Sequence, residues 1–291
     1  MLLQTERSLG LESVPWKLAS NLSPDKPAPI APPRRLQPAV MPARPAPVPA
    51  PARPAPVTLA AATVPPAPRR VAPRKPVHTA IENMPVQTGA PLPLPQRISV
   101  LESLDVTHVR TCTKCILSQT RKNTVFGDGA PDAELMFIGE GPGEDEDETG
   151  HPFVGRSGQL LGKMIAAMGL TREQVYIANI VKCRPPGNRT PASDEVAACV
   201  PYLLQQIETI RPRVIVTLGL PSTQYILGTD RPMRDLRGVW HEWRGVKVMP
   251  TYHPSYVLRS YTPEVRGCVW GDLQRVMQEL GLPTASREFT R

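Results

Sequence analysis

The sequence has no long apolar run. No hydrophobic stretch in its 291 residues approaches the roughly 20 residues that a membrane-spanning helix needs. The first residues, MLLQTERSLG, also lack the apolar core of a signal peptide. These absences predict a cytoplasmic protein without a membrane segment. Because thiols stay reduced in the cytoplasm, we expect its five cysteines to be free for metal or cluster binding.

The sequence also lacks the glycine-rich motifs of nucleotide-binding folds. The GxG that begins at Gly141 has no third glycine, and no GK[ST] is present to make a P-loop. The five consecutive acids at 144–148 would repel a phosphate group at this position. A developing positive charge fits these carboxylates better than a dinucleotide or triphosphate does. For Glu144, Asp145 and Glu148 taken singly, a solvated turn is an equally good interpretation.

Large apolar side chains are scarce in the first third of the chain. Residues 1–97 hold 23 of the 37 prolines, many of them in repeated Pro-Ala and Pro-Arg pairs. Such a segment cannot bury enough surface to offset its conformational entropy. We therefore expect a disordered Pro/Ala/Arg-rich tail over residues 1–97 and one folded domain over residues 98–291.

The net charge of +8 is confined to that tail. Residues 1–97 carry 12 Lys+Arg against 4 Asp+Glu, whereas residues 98–291 carry 22 of each. A flexible cationic arm adds weak, salt-sensitive attraction to DNA phosphates without reading sequence. The same composition also suits a spacer or an arm that docks a protein partner.

Strands alternate with helices in the prediction for the folded domain. Buried strands are indicated by apolar runs at 136–138, 175–181, 214–218 and 246–249. Helices are indicated at 98–111, at 158–169 and after Thr190 and Pro191, which suit an N-cap and a first helical position. This order predicts an α/β fold with three layers, α/β/α, around a central, mainly parallel, four-stranded sheet.

Residues 135–161, LMFIGEGPGEDEDETGHPFVGRSGQLL, are the stretch around which we expect the site to form. They read as a strand, an active-site loop and a helix. The glycines at 139, 141 and 143 let backbone approach a ligand that a β-carbon would block. Asn179 lies near the end of the next predicted strand. Ligands in open α/β sheets bind at the carboxyl ends of the strands, so the loop and Asn179 should meet there.

Four of the five cysteines have a spacing that suggests shared ligation. Cys112 and Cys115 form a C-x2-C pair, Cys183 follows in a proline-rich loop, and Cys199 lies one helix further. Four thiolates without a nearby histidine suit either zinc or a four-iron cluster, and spacing alone leaves both open. Cys199 also fits the apolar face of its helix as a small buried residue. Cys268 has no thiol neighbour in sequence and is expected to be a plain core or surface residue.

Together these features resemble the family 4 uracil-DNA glycosylases. The resemblance is carried by GEGPGEDEDETGHPFVG, by Asn179 before KCRPPGNRTP, by the cysteine spacing and by HPSYVLR, and it covers about residues 107 to 282. It implies that Cys112, Cys115, Cys183 and Cys199 hold a [4Fe-4S] cluster. It also implies excision of uracil from single- or double-stranded DNA in base excision repair, which leaves an abasic site.

The resemblance places Glu140, Gly141, Phe153, Asn179 and His253 in the base pocket. Phe153 would stack on a flipped base. Asn179 would accept from uracil N3–H and donate to O4, a pattern that cytosine reverses. Bond cleavage builds positive charge on the sugar and negative charge on uracil. Carboxylates near the sugar, and His253 with backbone N–H groups near uracil O2, would oppose these charges.

Other positions follow from the same resemblance. Glu146 matches a carboxylate near the attacking water, and Arg259 would reach a DNA phosphate. Asn188 is a further substrate-binding position, with the alternative that it only shapes the loop beside the cluster. Three residues of HPSYVLR are candidates for a wedge that enters the duplex as the base leaves: Tyr256, Val257 and Leu258. No lysine in these motifs serves as an amine nucleophile, so a monofunctional hydrolase without lyase activity is implied.

Particular residues distinguish this sequence from three related groups. Family 5 enzymes have an apolar residue at the position of Glu140, so the glutamate counts against that family. A related group that bonds covalently to uracil-DNA carries a basic, histidine-containing insert after its third cysteine, whereas the loop here is RPPGNR. A non-catalytic iron-sulfur DNA-binding module would not need Glu140, Phe153, Asn179 and His253 together, so their joint presence favours the enzyme.

Overall fold

The structure is a computed structural model, and it describes residues 89–284. The described part of the chain contains a six-stranded sheet with the strand order β1-β3-β2-β4-β6-β5. The strands are β1 (Asp128–Gly129), β2 (Leu135–Gly139), β3 (Tyr176–Asn179), β4 (Val214–Leu218), β5 (His241–Trp243) and β6 (Val246–Thr251). The central four, β3, β2, β4 and β6, run parallel to one another, and the two short edge strands are antiparallel to their neighbours.

Helices connect these strands. They are α1 (Leu94–Ser103), α2 (Glu144–Thr149), α3 (Arg156–Ala167), α4 (Ser193–Ile210), α5 (Leu220–Leu227), α6 (Met233–Leu236), α7 (Pro254–Arg259) and α8 (Pro263–Leu280). A π-helical turn, Leu104–Val109, continues α1, and 3-10 turns lie at Ile116–Gln119, Arg172–Gln174 and Pro186–Asn188. Within residues 89–284, no helix combines the length and the apolar character needed to cross a bilayer.

Both faces of the sheet are covered by helices. Every residue of β2 is buried, and its side chains alternate between two cores. Met136 and Ile138 pack with the apolar stripe of α4, whereas Leu135 and Phe137 pack with α3 and α8. A parallel strand covered on both faces needs a continuous apolar sequence, which is the pattern that β2 has. The predicted three-layer α/β/α fold is therefore confirmed, with two additional edge strands.

The N-terminal boundary of the folded part was predicted too late in the chain. Helix α1 begins at Leu94, inside the segment assigned to the tail, and Arg97 Nη1 donates to the carbonyl of Ile210 at 2.8 Å. Prolines before and within the first turn suit a helix start, so their presence there did not signal a tail. The rest of the predicted tail, up to residue 88, lies outside the described residues.

Two local predictions around the loops were wrong. The acids that follow Gly143 form α2 rather than an irregular loop, because carboxylates in a first helical turn complement the partial positive charge of the helix start. Helix α4 begins at Ser193, not after Thr190. Its N-cap position is Ala192, whose N–H donates to the Glu195 carboxylate at 2.6 Å.

Candidate active site

A cavity of about 640 Å³ opens at the carboxyl ends of the parallel strands. It receives Glu140 directly after β2, Asn179 from the end of β3, Gly219 after β4 and His253 after β6. Each of the predicted non-cysteine site residues lines this cavity, except the wedge candidates Val257 and Leu258. The parallel sheet thus brings together side chains that are far apart in the sequence, as its topology requires.

Asn179 supplies a buried amide at the floor of the cavity. Its side chain is almost inaccessible, at 2% exposure, and its Oδ1 has no hydrogen-bond partner among the described residues. A β-carbon on Gly139 would lie 2.4 Å from this oxygen, so only glycine fits beside it. Buried polar atoms are normally paired. A free acceptor in a cavity wall is therefore suited to a donor on a bound ligand.

Phe153 places an aromatic ring beside that amide. Its backbone has φ of +53°, an uncommon value for a residue other than glycine, and its carbonyl accepts a bond from Arg172 Nη1 at 3.2 Å. A β-carbon on Gly158 would lie 1.7 Å from the same carbonyl oxygen. The ring centroids of Phe153 and His253 are 5.7 Å apart. The strained backbone is held by its surroundings, as is common at binding sites.

His253 faces the cavity as a neutral hydrogen-bond donor. Its Nδ1 accepts from the Ser255 backbone N–H at 3.1 Å and contacts Ser255 Oγ at 2.8 Å. In the neutral ring the proton therefore resides on Nε2. Burial, with a smaller effect from the charge of Arg259, lowers the pKa of His253 to about 4. At neutral pH this ring can donate a hydrogen bond without carrying a charge.

The two predicted carboxylates have different surroundings. Glu140 is half-buried, and this burial raises its pKa above the ordinary value, although a hydrogen bond with Thr190 partly offsets the effect. The charged form of Glu140 is therefore disfavoured in this environment. Glu140 is thus a carboxylate whose charged form gains from a developing cation nearby.

Glu146 holds the two glycine turns of the site together. Its Oε2 accepts from the Gly143 N–H at 3.0 Å, and its Oε1 accepts from the N–H groups of Val154 and Gly155, each at 2.9 Å. Three backbone bonds fix the loops on which Glu140 and the Phe153 ring are mounted. The role beside an attacking water stays a prediction for this residue.

The segment after β6 leaves one candidate wedge at the cavity mouth. Val257 is fully buried in the core at 0% exposure, and Leu258 packs partly against the same core. Val257 is therefore excluded as a wedge. Tyr256 is 39% exposed, lines the cavity, and has its ring centroid 4.9 Å from that of Tyr252. Arg259 is exposed at the same rim.

Asn188 lies in the loop between the cavity and the cysteines. Its φ is +53°, and its Oδ1 accepts from Arg184 Nε at 2.8 Å. Gly187, the residue before it, also has a positive φ of +64°. Two adjacent left-handed residues make a tight turn that asparagine and glycine tolerate well. The geometry is that of a residue that shapes the loop.

The four spaced cysteines line one small cavity, which we call the cysteine site: Cys112, Cys115, Cys183 and Cys199. Three donors approach their sulfurs. Arg121 Nη1 is 3.2 Å from Cys183 Sγ, the Lys182 backbone N–H is 3.2 Å from Cys199 Sγ, and Tyr202 Oη is 3.3 Å from Cys112 Sγ. Burial raises the pKa of the Cys199 thiol to about 12, so a ligand that needs its thiolate must displace a proton. Cys268, in α8, is half-buried and does not line this cavity.

The sulfur arrangement bears on what the cysteine site could hold. Within residues 89–284, no three Cys, His, Asp or Glu side chains are grouped closely enough to hold a single metal ion. A zinc ion needs every sulfur about 2.3 Å from one point. In a four-iron cluster each thiolate binds a different iron, so its sulfurs lie further apart. The four cysteine sulfurs, with the hydrogen-bond donors beside them, are suitable ligands for such a cluster.

Two buried polar networks support the cavity, and the sequence analysis missed both. Lys182 Nζ donates to the Asn179 carbonyl at 2.9 Å and to Gln206 Oε1 at 2.6 Å, in the floor below β3. Below β6, Asp272 accepts from Thr251 Oγ1 at 2.7 Å and from Arg237 Nη2 at 2.7 Å. The first network holds the backbone of Asn179, and the second holds the end of β6, two residues before His253.

A sequence signal for these networks exists in each helix. Gln206 interrupts the apolar stripe of α4, between Leu203 and Ile210, and Asp272 interrupts the stripe of α8, between Val269 and Val276. A polar residue on an apolar helix face requires a buried partner. The spacing identifies such positions, but it does not name the partner, which comes from another element.

Comparison with known proteins agrees with the geometry. Residues 126–274 match the family model described as the uracil DNA glycosylase superfamily. The type-4 uracil-DNA glycosylase of Thermotoga maritima is 48% identical over 170 residues, which cover 58% of this chain and 88% of that protein. The corresponding protein of Saccharolobus solfataricus is 46% identical over 62% of this chain and 88% of its own length. The type-5 enzyme of Pyrobaculum aerophilum is 32% identical over 44% of this chain and 63% of its own. The chain therefore belongs to the uracil-DNA glycosylase superfamily and, within it, to the type-4 group.

Proposed function

We propose that the cavity binds a uracil that has been flipped out of DNA and that its walls promote hydrolysis of the N-glycosidic bond. As a type-4 uracil-DNA glycosylase, the chain is a monofunctional N-glycosylase of DNA repair. The observation that carries the assignment of the site is the buried amide of Asn179, whose Oδ1 lacks a partner among the described residues, beside the ring of Phe153.

Asn179 reads the edge of the base. Its Oδ1 accepts from uracil N3–H while its Nδ2 donates to O4, and the Phe153 ring stacks on the base. Cytosine presents an acceptor where uracil has N3–H and a donor where uracil has O4. Cytosine would therefore leave buried groups unpaired on both partners, which is a strong basis for rejection.

Glu140 and His253 serve the chemical step. As the bond between C1′ and N1 breaks, its electron pair leaves with uracil and positive charge develops on the sugar. The Nε2–H of neutral His253 donates to uracil O2, where negative charge accumulates. Ionised Glu140 opposes the charge on the sugar and takes the proton of the water that adds to C1′. Glu146 keeps the loop of Glu140 in place and lies near that water.

DNA is held at the rim of the cavity. Tyr256 is the wedge that fills the space left by the base, since Val257 is buried and Leu258 partly so. Arg259, which is exposed beside it, binds a phosphate. The substrate is uracil in single- or double-stranded DNA, and the enzyme acts in the cytoplasm.

The cysteine site holds a [4Fe-4S] cluster. The support is the set of four thiols around one cavity, with hydrogen-bond donors on three of their sulfurs. When bound, the cluster supplies four covalent links that clamp the N-terminal turn to the loop after β3. Visible absorbance and iron analysis of anaerobically purified protein test this assignment, and one bound zinc with no iron would contradict it.

The basic segment before the folded part adds nonspecific attraction to DNA or docks a protein partner. Residues 1–88 carry 11 Lys+Arg against 4 Asp+Glu, which is +7 of the net charge of +8. Deletion of residues 1–88, which leaves α1 intact, should flatten the salt dependence of DNA binding. Turnover on short oligonucleotides at saturating substrate should be unchanged.

Incubation of the purified protein with an oligonucleotide that contains one uracil, followed by alkali cleavage, tests the function. We expect one break at the uracil position and none in matched oligonucleotides with cytosine or thymine there. A non-catalytic DNA-binding module would retain the uracil oligonucleotide without producing the break.

A further inference from the structure

Lys182 is an unusual residue for the position it occupies. It lies three residues after Asn179 and immediately before Cys183, and its side chain is 1% exposed. Its Nζ turns back below β3 and donates to the Asn179 carbonyl at 2.9 Å. The Asn179 backbone is thus held on one side by the parallel ladder to Gly139 and on the other by this ammonium.

The charge of this ammonium is not matched by the groups that it touches. Its two hydrogen-bond acceptors, the Asn179 carbonyl and Gln206 Oε1, are both neutral, and the ring face of Phe126 lies 6.0 Å away. A buried charge without an opposite charge is expensive. Lys182 also lines the cysteine site, where four thiolates around a cluster form a net anionic group. The cysteine site, together with the nearby Asp105 carboxylate, can therefore supply the counter-charge.

The backbone of the same residue contacts that site directly. The Lys182 N–H donates to Cys199 Sγ at 3.2 Å, so one residue bonds a cysteine ligand through its main chain and the Asn179 carbonyl through its side chain. We propose that Lys182 is a positioning residue that couples the cysteine site to the base-reading amide of Asn179. Loss of its ammonium then loosens the end of β3 and weakens uracil recognition while the cluster stays bound.

A double-mutant cycle tests this proposal in the full-length, cluster-containing protein. The variants are Lys182→Met, Asn179→Ala and the double variant. The main readout is the affinity for uracil-DNA, carried on a 2′-fluorinated nucleotide that resists cleavage, relative to thymine-DNA. Iron content and visible absorbance are measured on each variant. Thr209→Val is the matched control, because it removes a buried hydroxyl whose bond, to the Gln205 carbonyl, stays within α4.

We expect Lys182→Met to retain its iron and to lose about 10- to 100-fold of the preference for uracil, and Thr209→Val to lose none. In the Asn179→Ala background the Lys182 substitution should have no further effect on preference, because it acts through that residue. Additive losses in the double variant, or an unchanged preference in Lys182→Met, would overturn the proposal.

Gln206→Met keeps the test decisive if Lys182→Met loses its iron. It removes one acceptor of the ammonium but leaves the Lys182 N–H on Cys199 in place. The same cycle with Asn179→Ala should again show coupling, and additivity there would overturn the proposal. The inference rests on the proposed role of Asn179. A wild-type protein without preference for uracil would contradict that role, whereas additivity with a normal wild-type preference contradicts only the coupling.

Discussion

Two walls of one cavity are supported by buried charges of opposite kinds. The wall at the end of β3 carries Asn179 above the ammonium of Lys182, whose acceptors are neutral. The wall at the end of β6 carries His253 beyond the buried carboxylate of Asp272, which is paired with Arg237. The second wall therefore has an ion pair of its own, whereas the ammonium of the first has neutral acceptors and takes its counter-charge from the cysteine site and the Asp105 carboxylate.

Because the two walls have different supports, recognition of the base and the chemical step should depend on different residues. Recognition of the base, at the β3 wall, should depend on the state of the cysteine site. Stabilisation of the leaving base, at the β6 wall, should depend on the Asp272–Arg237 pair and not on the cysteines. The fold thus places two functions at the ends of β3 and β6, which β2 and β4 separate in the sheet. Each function has its own support, so each can be disturbed without the other.

The largest expected effect comes from the β6 wall. His253→Ala removes the N–H that faces uracil O2, and loss of one such group lowers the rate by about 100- to 1000-fold, or roughly 3 to 4 kcal/mol. Binding of uncleaved uracil-DNA should stay near the wild-type value, because the interaction strengthens only as the bond breaks. Single-turnover excision and equilibrium binding measure the two quantities. A variant that loses binding and rate equally would assign His253 to recognition instead.

Asp272→Asn should destabilise the protein by about 3 kcal/mol, because it leaves Arg237 without its buried partner. The matched control is Glu279→Gln, which breaks the more exposed Lys247–Glu279 pair between β6 and α8. Exposed pairs contribute about 0–1 kcal/mol, so the control should unfold close to the wild type. Thermal and urea unfolding measure the stability of both variants and of the wild type. Equal losses in the two variants would refute the claim that the buried pair supports this wall.

The smallest expected effect is the pH dependence of the excision rate. Burial raises the pKa of Glu140, so its carboxylate becomes protonated at a higher pH than an exposed glutamate does. The excision rate should therefore fall as the pH decreases through that pKa, by up to about tenfold per pH unit. His253, with a pKa of about 4, stays neutral over the same range.

The dependence of the excision rate on pH in two variants distinguishes the carboxylate of Glu140 from the imidazole of His253. Glu140→Gln should be slow but show no such fall, whereas His253→Ala should retain it. A profile of His253→Ala that is flat, with the fall preserved in Glu140→Gln, would mean that the two assignments are exchanged.

Much of the fold could be predicted because a parallel sheet covered on both faces imposes its pattern on each strand. The apolar runs of β2, β3, β4 and β6 were sufficient to place them. The edge strand β5, with the sequence HEW, shows no such run, because only one of its sides pairs with the sheet. Local pattern carries little information about a strand that is short, polar and partly exposed.

The candidate site could be predicted to a similar extent and for a different reason. Side chains at strand ends, such as Asn179 and His253, follow recognisable runs. Lys182 and Asp272 could not be assigned, since their partners come from α4 and from α6 with its following residues, at sequence distances that spacing does not encode. The acids of α2 were misjudged because a run of like charges is unfavourable in isolation but is favoured at a helix start.

The central claim is that the β3 wall reads the base while Glu140 and His253 promote the chemical step. Its most direct test compares Asn179→Ala and Glu140→Gln in binding of uncleaved uracil-DNA and in single-turnover excision. We predict that Asn179→Ala binds uracil-DNA no better than thymine-DNA, whereas Glu140→Gln keeps the wild-type preference and loses about 100-fold or more in rate. A retained preference in Asn179→Ala, together with near wild-type rates in both variants, would contradict the account.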